Sequence, residues 1–426
     1  MRFCKEPFGR QDVTGTETVN EAAAAASPRL AEAWKRFHAA QEEGRRLMEA
    51  TPRFRDFPQH RAKAYHTLLE AAAMAYNFAV APRMEHPRIN RNTSWQTDVY
   101  TLGQNGPDFY YAVTMLDGRQ DYRLSGKLND CTLFLVQVLN HLSGHPDSRV
   151  IGNYDLADFD IGADGRFEFI LSARKHEGNW MPLDPDCRSH MVLMRRAMGD
   201  WNDVPPDTVI ERISEIPPGY YDDEEFDEDA MAARIETAAA FFGYLIRDFN
   251  INLYDMYLAN GGGFNNMAFL PGVATSQVGS PSSRYAQAVF DIDEDEALIL
   301  ELDRRPDGAY WSYQVGDVWS RSLNFTHRQT SLSNRHAIPD SDGVLRVVLA
   351  HRDPGIANWL DTCGRRQGTV VFRNFRALTD LVPTTRKVKL ADLAAALPAD
   401  TARVTPEARA AALRARHAGL LKLHGE

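Results

Sequence analysis

An internal repeat limits what this chain can fold into more than any other feature of its sequence. An Asp-Gly pair, a strand-like run that ends in leucine, an arginine, an Asn-Trp pair and a second arginine occur twice in the same order. The first copy has Asp164, Gly165, Leu171, Arg174, Asn179, Trp180 and Arg195, and the second has Asp342, Gly343, Leu349, Arg352, Asn358, Trp359 and Arg373. Because the chain holds only 7 tryptophans, we interpret the match as a duplicated β unit.

Both copies lie in stretches of short aromatic and branched runs separated by turn dipeptides, which is typical of strands. The predicted strands are residues 95–102, 109–116, 120–125, 131–139, 167–172, 191–195 and 208–213, then 285–290, 297–302, 310–315, 345–350 and 369–373. Asp117-Gly118 between two of these runs predicts a β-hairpin. Because no helices alternate with the strands, a doubly wound parallel sheet is excluded.

The fold class that follows is mainly β with flanking helices, a tandem jelly roll or β-sandwich. We expect residues 95–215 and 280–385 to superpose, with Trp180 and Trp359 on equivalent strands. Apolar residues at intervals of three and four predict an N-terminal helical segment, in which Tyr65, Leu68, Leu69, Ala72 and Tyr76 belong to the packed face, and a connecting helix over residues 229–258. The predicted domains are an N-terminal helical segment (1–90), a first jelly roll (91–220), a connecting helix (221–279), a second jelly roll (280–385) and a C-terminal helical tail (386–426), whose helix starts at Thr405-Pro406.

Composition excludes several classes of function. Twelve acidic residues between positions 200 and 229 account for most of the net charge of −10, so no broad basic face remains for a nucleic acid. The four cysteines lie far apart and no glycine-rich phosphate loop is present, which predicts no metal and no cofactor. Without a membrane-length apolar run or a secretory signal, we expect a cytoplasmic protein with no membrane partner, and a homodimer or higher homo-oligomer.

The second half resembles the family of unknown function numbered 1214. The resemblance is carried by Tyr-Trp-Ser-Tyr-Gln at 310–314, Arg-Gln-Thr-Ser-Leu at 328–332 and Asp-Pro-Gly-Ile-Ala-Asn-Trp-Leu-Asp-Thr at 353–362, and is clearest over residues 285–385. It implies that the first half is a diverged domain of the partner family numbered 1254, and that the chain is a double jelly roll of the kind found in viral capsid proteins. It implies no established reaction and therefore no catalytic residues.

The second copy adds a group of ionisable residues that the first copy lacks. They are His327, Arg328, His351, Arg352 and Asp353. A histidine beside a carboxylate can act as a general base, and arginines can hold developing negative charge. The first-copy counterparts of His351 and Asp353 are Ala173 and Lys175, which cannot do this work. The alternative is a surface network of Arg-Asp pairs.

Five aromatic residues are candidates for the walls of a binding pocket. They are Trp311, Tyr313 and Trp319 in the second copy and Tyr254 and Tyr257 near the end of the connecting helix. The two tyrosines are either a pocket wall between the jelly rolls or core residues.

Two hypotheses follow from these candidates. In the first, the chain is a cofactor-independent hydrolase, lyase or isomerase that acts on a small organic molecule in a pocket between the second jelly roll and the helices. In the second, it is a non-catalytic carbohydrate or small-ligand binder, or a self-assembling capsid-like protein.

Overall fold

A computed structural model describes residues 26–84, 86–89, 99–215, 227–270 and 279–424. The strands in these residues form four sheets. The strands of the first copy are β1 (Phe109–Leu116), β2 (Tyr122–Lys127), β3 (Leu133–Leu139), β4 (Val150–Asp155), β5 (Arg166–Ser172), β6 (Trp180–Pro182), β7 (His190–Ala197) and β8 (Asp207–Arg212). The later strands are β9 (Ala268–Phe269), β10 (Ser283–Asp291), β11 (Glu296–Leu302), β12 (Tyr310–Gly316), β13 (Ser331–Ser333), β14 (Leu345–Ala350), β15 (Trp359–Asp361), β16 (Gln367–Phe375) and β17 (Thr384–Lys389). Of the predicted strand 95–102, residues 95–98 lie outside the described residues.

Helices precede, connect and follow the two copies. They are α1 (Pro28–Ala50), α2 (Pro52–Asp56), α3 (Arg61–Ala75), α4 (Glu228–Tyr244), α5 (Leu253–Asn260), α6 (Leu393–Ala396) and α7 (Pro406–His424). A π-helical turn at Tyr76–Val80 extends α3, and another at Leu245–Asn252 joins α4 to α5, so the predicted connecting helix is continuous. The Thr405 hydroxyl accepts a hydrogen bond from the Ala408 amide at 3.2 Å, which confirms the predicted start of the tail helix. Within the described ranges, no helix combines the length and apolarity that crossing a bilayer requires.

Each copy consists of two sheets with a hydrophobic core between them. The sheet orders are β1-β7-β3-β4 and β6-β5-β2-β8 in the first copy, and β9-β10-β16-β12-β13 and β15-β14-β11-β17 in the second. Leu124 and Val136 meet in the first core, and Leu300 and Phe372 meet in the second. The same strand succession occurs in both copies, so the predicted tandem jelly roll is confirmed.

The Asn-Trp pairs occupy equivalent positions in the two copies. Trp180 lies opposite Ile170 in the parallel β5–β6 pair, and Trp359 lies opposite Val348 in the parallel β14–β15 pair. The Trp180 indole N–H donates to the carbonyl of Ser172 and the Trp359 indole to that of Ala350, both at 3.0 Å. Trp180 and Trp359 therefore lie on equivalent strands, as the duplication predicts.

The hairpin predicted at Asp117-Gly118 is wrong. The turn joins β1 to β2, and these strands belong to different sheets, so it crosses from one sheet of the sandwich to the other. Glycine is required there because a Cβ on Gly118 would lie 1.9 Å from the carbonyl oxygen of Asp184. A tight turn between two strand-like runs does not reveal whether the strands pair with each other.

The largest hydrophobic core lies between the two copies and the helices, and we call it the shared core. The Phe109 ring meets the ring of Tyr310 at 5.0 Å across the two copies, and Phe78 meets Phe241 at 5.7 Å between helices. Every residue of β1, β3 and β7 is buried, because one face of their sheet lies in the sandwich core and the other in the shared core.

The packed face of α3 matches the predicted one only in part. Leu68 and Ala72 pack against the shared core, as predicted. Leu69 is 72% exposed, and Tyr65 and Tyr76 are also exposed. The fully buried side chains include Ala71 and Met74, so the buried side of the helix is shifted from the predicted one.

Candidate functional site

A polar cavity of about 540 Å³ lies between the second jelly roll, α3 and α7, and we call it the histidine cavity. Lys63 and His66 of α3 form one wall, and residues of the loop after β12, including His327, form another. Two further ionisable residues line the cavity, and they are Arg365 in the loop before β16 and His417 of α7. Three histidines from three separate parts of the chain therefore share one cavity.

A buried ion pair supports one side of this cavity. Arg321 Nη2 lies 2.6 Å from Glu70 Oε2, and both side chains are less than 5% exposed. The other oxygen of Glu70 accepts a hydrogen bond from the Leu102 amide at 3.3 Å. Burial raises the pKa of the Glu70 carboxyl and Arg321 opposes this rise, while Arg321 Nε is buried without a hydrogen-bond partner in the described part of the chain.

His66 lies one helical turn before Glu70. Its Nδ1 is 4.0 Å from Glu70 Oε2, and its side chain is 53% exposed. Partial burial lowers the pKa of His66 below its usual value, and the positive charges of Arg321 and Lys63 lower it further. A neutral imidazole near pH 7 can accept a proton, and a nearby carboxylate stabilises the imidazolium that forms.

The opposite part of the cavity combines histidines with cations. The ring centroids of His327 and His417 are 4.4 Å apart, and the His327 side chain makes no hydrogen bond within the described residues. Lys63 and Arg365 line the same cavity and have no carboxylate within ion-pair distance among the described residues. Asp317 also lines the cavity, but Lys63, Arg321 and Arg365 outnumber it, so the lining is suited to an anion.

The loop after β12 is held in a strained conformation. The Asp317 carboxylate accepts hydrogen bonds from the amides of Trp319 and Arg321 at 2.8 and 3.1 Å. Ser320 between them has a φ of 54°, a conformation that costs energy for a residue with a Cβ and that is found often at functional sites. This conformation places the Arg321 guanidinium beside Glu70.

Residues 287–379 match the model of DUF1214, a protein family of unknown function. The match confirms the resemblance seen in the second half, and the relation of the first half to a 1254-type domain stays a prediction. No curated protein sequence matches the chain.

Several proteins of known structure are similar to this chain to different degrees. An uncharacterized protein from Burkholderia cenocepacia is 26% identical to this chain, with a TM-score of 0.75, over 85% of this chain and 99% of that one. The VPA0106 protein from Vibrio parahaemolyticus is 12% identical, with a TM-score of 0.42, over 76% and 98%. A vicilin from Capsicum annuum is 11% identical, with a TM-score of 0.20, over 74% and 87%. The similarity to the Burkholderia protein supports the two-sandwich arrangement.

Within residues 287–379, His351 and Asp353 do not lie with His327. Neither lines the histidine cavity. His351 Nε2 is 3.0 Å from the carbonyl oxygen of Ile292, and Nδ1 is 2.5 Å from the Thr362 hydroxyl. Because a carbonyl only accepts, Nε2 donates and Nδ1 accepts from the hydroxyl, which leaves no free lone pair for a base. The proposed role of His351 is therefore corrected to a structural one.

Asp353 and the two neighbouring arginines also have structural roles. Asp353 Oδ2 accepts a hydrogen bond from Arg409 Nε of α7 at 2.9 Å. Arg328 Nε binds Asp361 at 2.5 Å, and Arg352, which is largely exposed, lies 3.5 Å from Glu294. These contacts match the alternative of Arg-Asp pairs better than a substrate-binding role.

The predicted aromatic walls are core residues. Trp311 and Tyr313 lie inside the second sandwich, while Trp319, Tyr254 and Tyr257 lie in the shared core. The Arg53 guanidinium stacks over the rings of Tyr254 and Trp319 at 4.4 and 5.3 Å. All five aromatic residues are at least 95% buried, so a ligand in the histidine cavity does not need them.

Sequence reasoning missed Lys63, His66 and Glu70. Their spacing of three and four places them on one side of α3, and Glu70 interrupts an otherwise apolar run from Leu68 to Ala73. That interruption is the signal that was available. His417 has no comparable signal, since α7 carries charged residues on several sides.

The lowered pKa of His66 gives a direct test of this geometry. We expect the His66 ring to titrate below the usual histidine value of about 6.5, because both burial and the neighbouring cations oppose its protonation. Binding of an anion in the cavity should raise this pKa, since a negative charge favours the imidazolium. A histidine NMR titration, with His66→Gln used to assign the resonance, measures both shifts.

Proposed function

We propose that the chain is a cofactor-independent enzyme that binds a small organic anion in the histidine cavity and transfers a proton through histidine. The observation that carries the proposal is His66, which lies beside the buried Glu70–Arg321 pair and shares one cavity with His327 and His417. The cavity volume of about 540 Å³ is in the range of small-molecule sites.

Each residue of the cavity has a role in this proposal. Lys63 and Arg365 attract the anion and hold it. His66 takes a proton from the substrate, and Glu70 stabilises the resulting imidazolium while Arg321 keeps Glu70 ionised. His327 or His417 returns a proton to the product. This set of groups serves a hydrolase, a lyase or an isomerase, each of which needs proton transfer without a redox partner.

Replacement of His66 tests the catalytic part of the proposal. The substrate is first sought by proton NMR in a panel of small organic acids mixed with the native protein. With the acid that is converted, His66→Ala should lose about a hundredfold to ten-thousandfold in rate with an unchanged thermal midpoint, because the side chain is half exposed.

A matched control separates this effect from the loss of any surface histidine. His38 is an exposed histidine on α1, outside the cavity, and His38→Ala should keep full activity. If acids bind and Arg365→Ala weakens their binding, but no acid is converted, the non-catalytic binder replaces the enzyme.

The proposal also includes the cytoplasmic location and the homo-oligomer expected from the sequence. Cys131, Cys187 and Cys363 are free thiols, as is usual in a reducing compartment. Sedimentation velocity of the purified chain measures the oligomeric state, and a species of dimer mass or greater is expected.

A further inference from the structure

The first jelly roll contains a separate cavity of about 250 Å³, which we call the first-copy cavity. Its walls are the corner between β1 and β2, the loop after β3 with His141 and His145, the loop before β7 with Ser189, and one side of α4. It shares no lining residue with the histidine cavity.

The repeat places the two cavities at equivalent ends of the two sandwiches. Arg195 and Arg373 are equivalent residues of the repeat, and they lie opposite Leu135 of β3 and Ser312 of β12 respectively. The loop after β3 and the loop after β12 therefore leave the same end of their sandwiches. In each copy this loop contributes histidine to a cavity. The loop before β7 in the first copy, and the loop before β16 in the second, form another part of the wall. A helix covers one side of each cavity.

The chemistry of the first-copy cavity differs from that of the histidine cavity. Apolar atoms form most of the surface of its wall, and five apolar side chains contribute to it, namely Ala79, Met84, Leu142, Ala230 and Ala233. At the loop after β3, the His141 and His145 rings stack with centroids 4.0 Å apart. A ligand for such a cavity needs an apolar body and a polar group at one end.

The histidine pair presents hydrogen-bond donors to such a group. His145 Nδ1 accepts from the Asp147 amide at 3.1 Å, so a neutral His145 carries its proton on Nε2, which has no partner among the described residues. Burial and the proximity of His145 lower the pKa of His141, since stacked rings disfavour two positive charges. A bound carboxylate would accept from Nε2 and offset this repulsion.

Charge in the lining also favours an acid. Arg188, Arg212 and Arg234 line the cavity together with a single carboxylate, Asp117, among the described residues. Asp117 is already bound by Arg119 at 3.0 Å. The arginines have contacts of their own, such as Arg212 with the Gln120 side chain at 2.7 Å, and they contribute positive potential rather than open binding groups.

We propose that the first-copy cavity is a second binding site, which takes a small carboxylic acid with a compact apolar body, with its carboxylate at His145. The volume is slightly below the usual range of about 300–1,000 Å³ for drug-sized ligands, so the ligand is small. The site does not depend on catalysis in the histidine cavity.

Calorimetric titration of the native chain with benzoate, phenylacetate and isovalerate tests the site. At least one of these acids should bind saturably, and His145→Ala should weaken its binding by about tenfold to a hundredfold, the effect of losing a hydrogen bond to a charged group. Ala233→Phe should abolish binding, because Ala233 is an exposed residue of the cavity wall and the larger ring occupies the cavity without disturbing the core.

Arg365→Ala is the matched control, since Arg365 lines only the histidine cavity, and it should leave the affinity unchanged. No saturable binding of any of the three acids overturns the proposal. Binding that is lost in Arg365→Ala but kept in Ala233→Phe also overturns it, because the acid then occupies the histidine cavity.

Discussion

Replacing Arg321 by alanine should lower the free energy of unfolding by about 3–5 kcal/mol, as expected when one partner of a buried ion pair is removed. Glu70 would then keep its carboxylate buried without the guanidinium, while the Leu102 amide still donates to it at 3.3 Å. The pair lies between α3 and the second sandwich, so the loss should appear as a lower denaturant midpoint in urea unfolding followed by circular dichroism.

Two further variants show whether burial causes this loss. The double variant Glu70→Leu with Arg321→Met replaces both charges by apolar groups and should recover most of the stability. The control is Arg36→Ala, which removes a surface pair with Glu32, where both side chains are more than half exposed, and it should change the midpoint little. If Arg321→Ala behaves like Arg36→Ala, the Glu70 carboxylate is not buried in solution.

The repeat made the β architecture predictable from sequence. Trp180 and Trp359 each lie on a short parallel strand, and each indole N–H donates one hydrogen bond to the neighbouring strand. Because this contact depends on the indole, tryptophan occurs at the same position in both copies. Strand pairing was less predictable, as the Asp117-Gly118 corner shows. Local turn chemistry is the same whether a chain returns in its own sheet or crosses to the facing sheet, so only tertiary structure separates the two cases.

The site was less predictable because it depends on contacts between distant segments. His327 lies in the cavity, but its neighbours His66 and His417 come from helices 261 residues before and 90 residues after it in sequence. The prediction that residues found in one copy alone form a reactive group was wrong for His351. That histidine differs from Ala173 of the first copy because it bonds to the Ile292 carbonyl, a structural use that residue type alone does not reveal.

From the sequence we expected a site in the second copy alone, whereas both copies have a cavity at the same end of the sandwich. Equivalent sandwich ends carry different side chains, with apolar groups beside His145 in the first copy and the cations Lys63 and Arg365 beside His327 in the second. A duplicated scaffold therefore supplies two sites of distinct chemistry. The two sandwiches share instead the hydrogen bonds made by their Asn-Trp pairs.

Asn358→Ala should cost about 2–4 kcal/mol of stability, since it leaves three partly buried backbone groups without their partner. The Asn358 amide donates to the carbonyls of Ile338 and Arg346 at 2.6 and 2.9 Å, and its oxygen accepts from the Ile338 amide at 2.9 Å. Asn358 is only 4% exposed, so water reaches these groups less readily than it reaches the surface of the molecule. Urea unfolding and the thermal midpoint both measure the loss.

The first copy offers the matched control with the same hydrogen bonds in a more exposed place. Asn179 donates to the carbonyls of Asp160 and Glu168 at 2.8 and 3.1 Å and accepts from the Asp160 amide at 3.1 Å, but these atoms are open to solvent. Asn179→Ala should therefore cost about 1 kcal/mol or less, because water can satisfy the released groups. Equal losses for the two variants would mean that the geometry of the bonds, and not their burial, sets the stability of this motif.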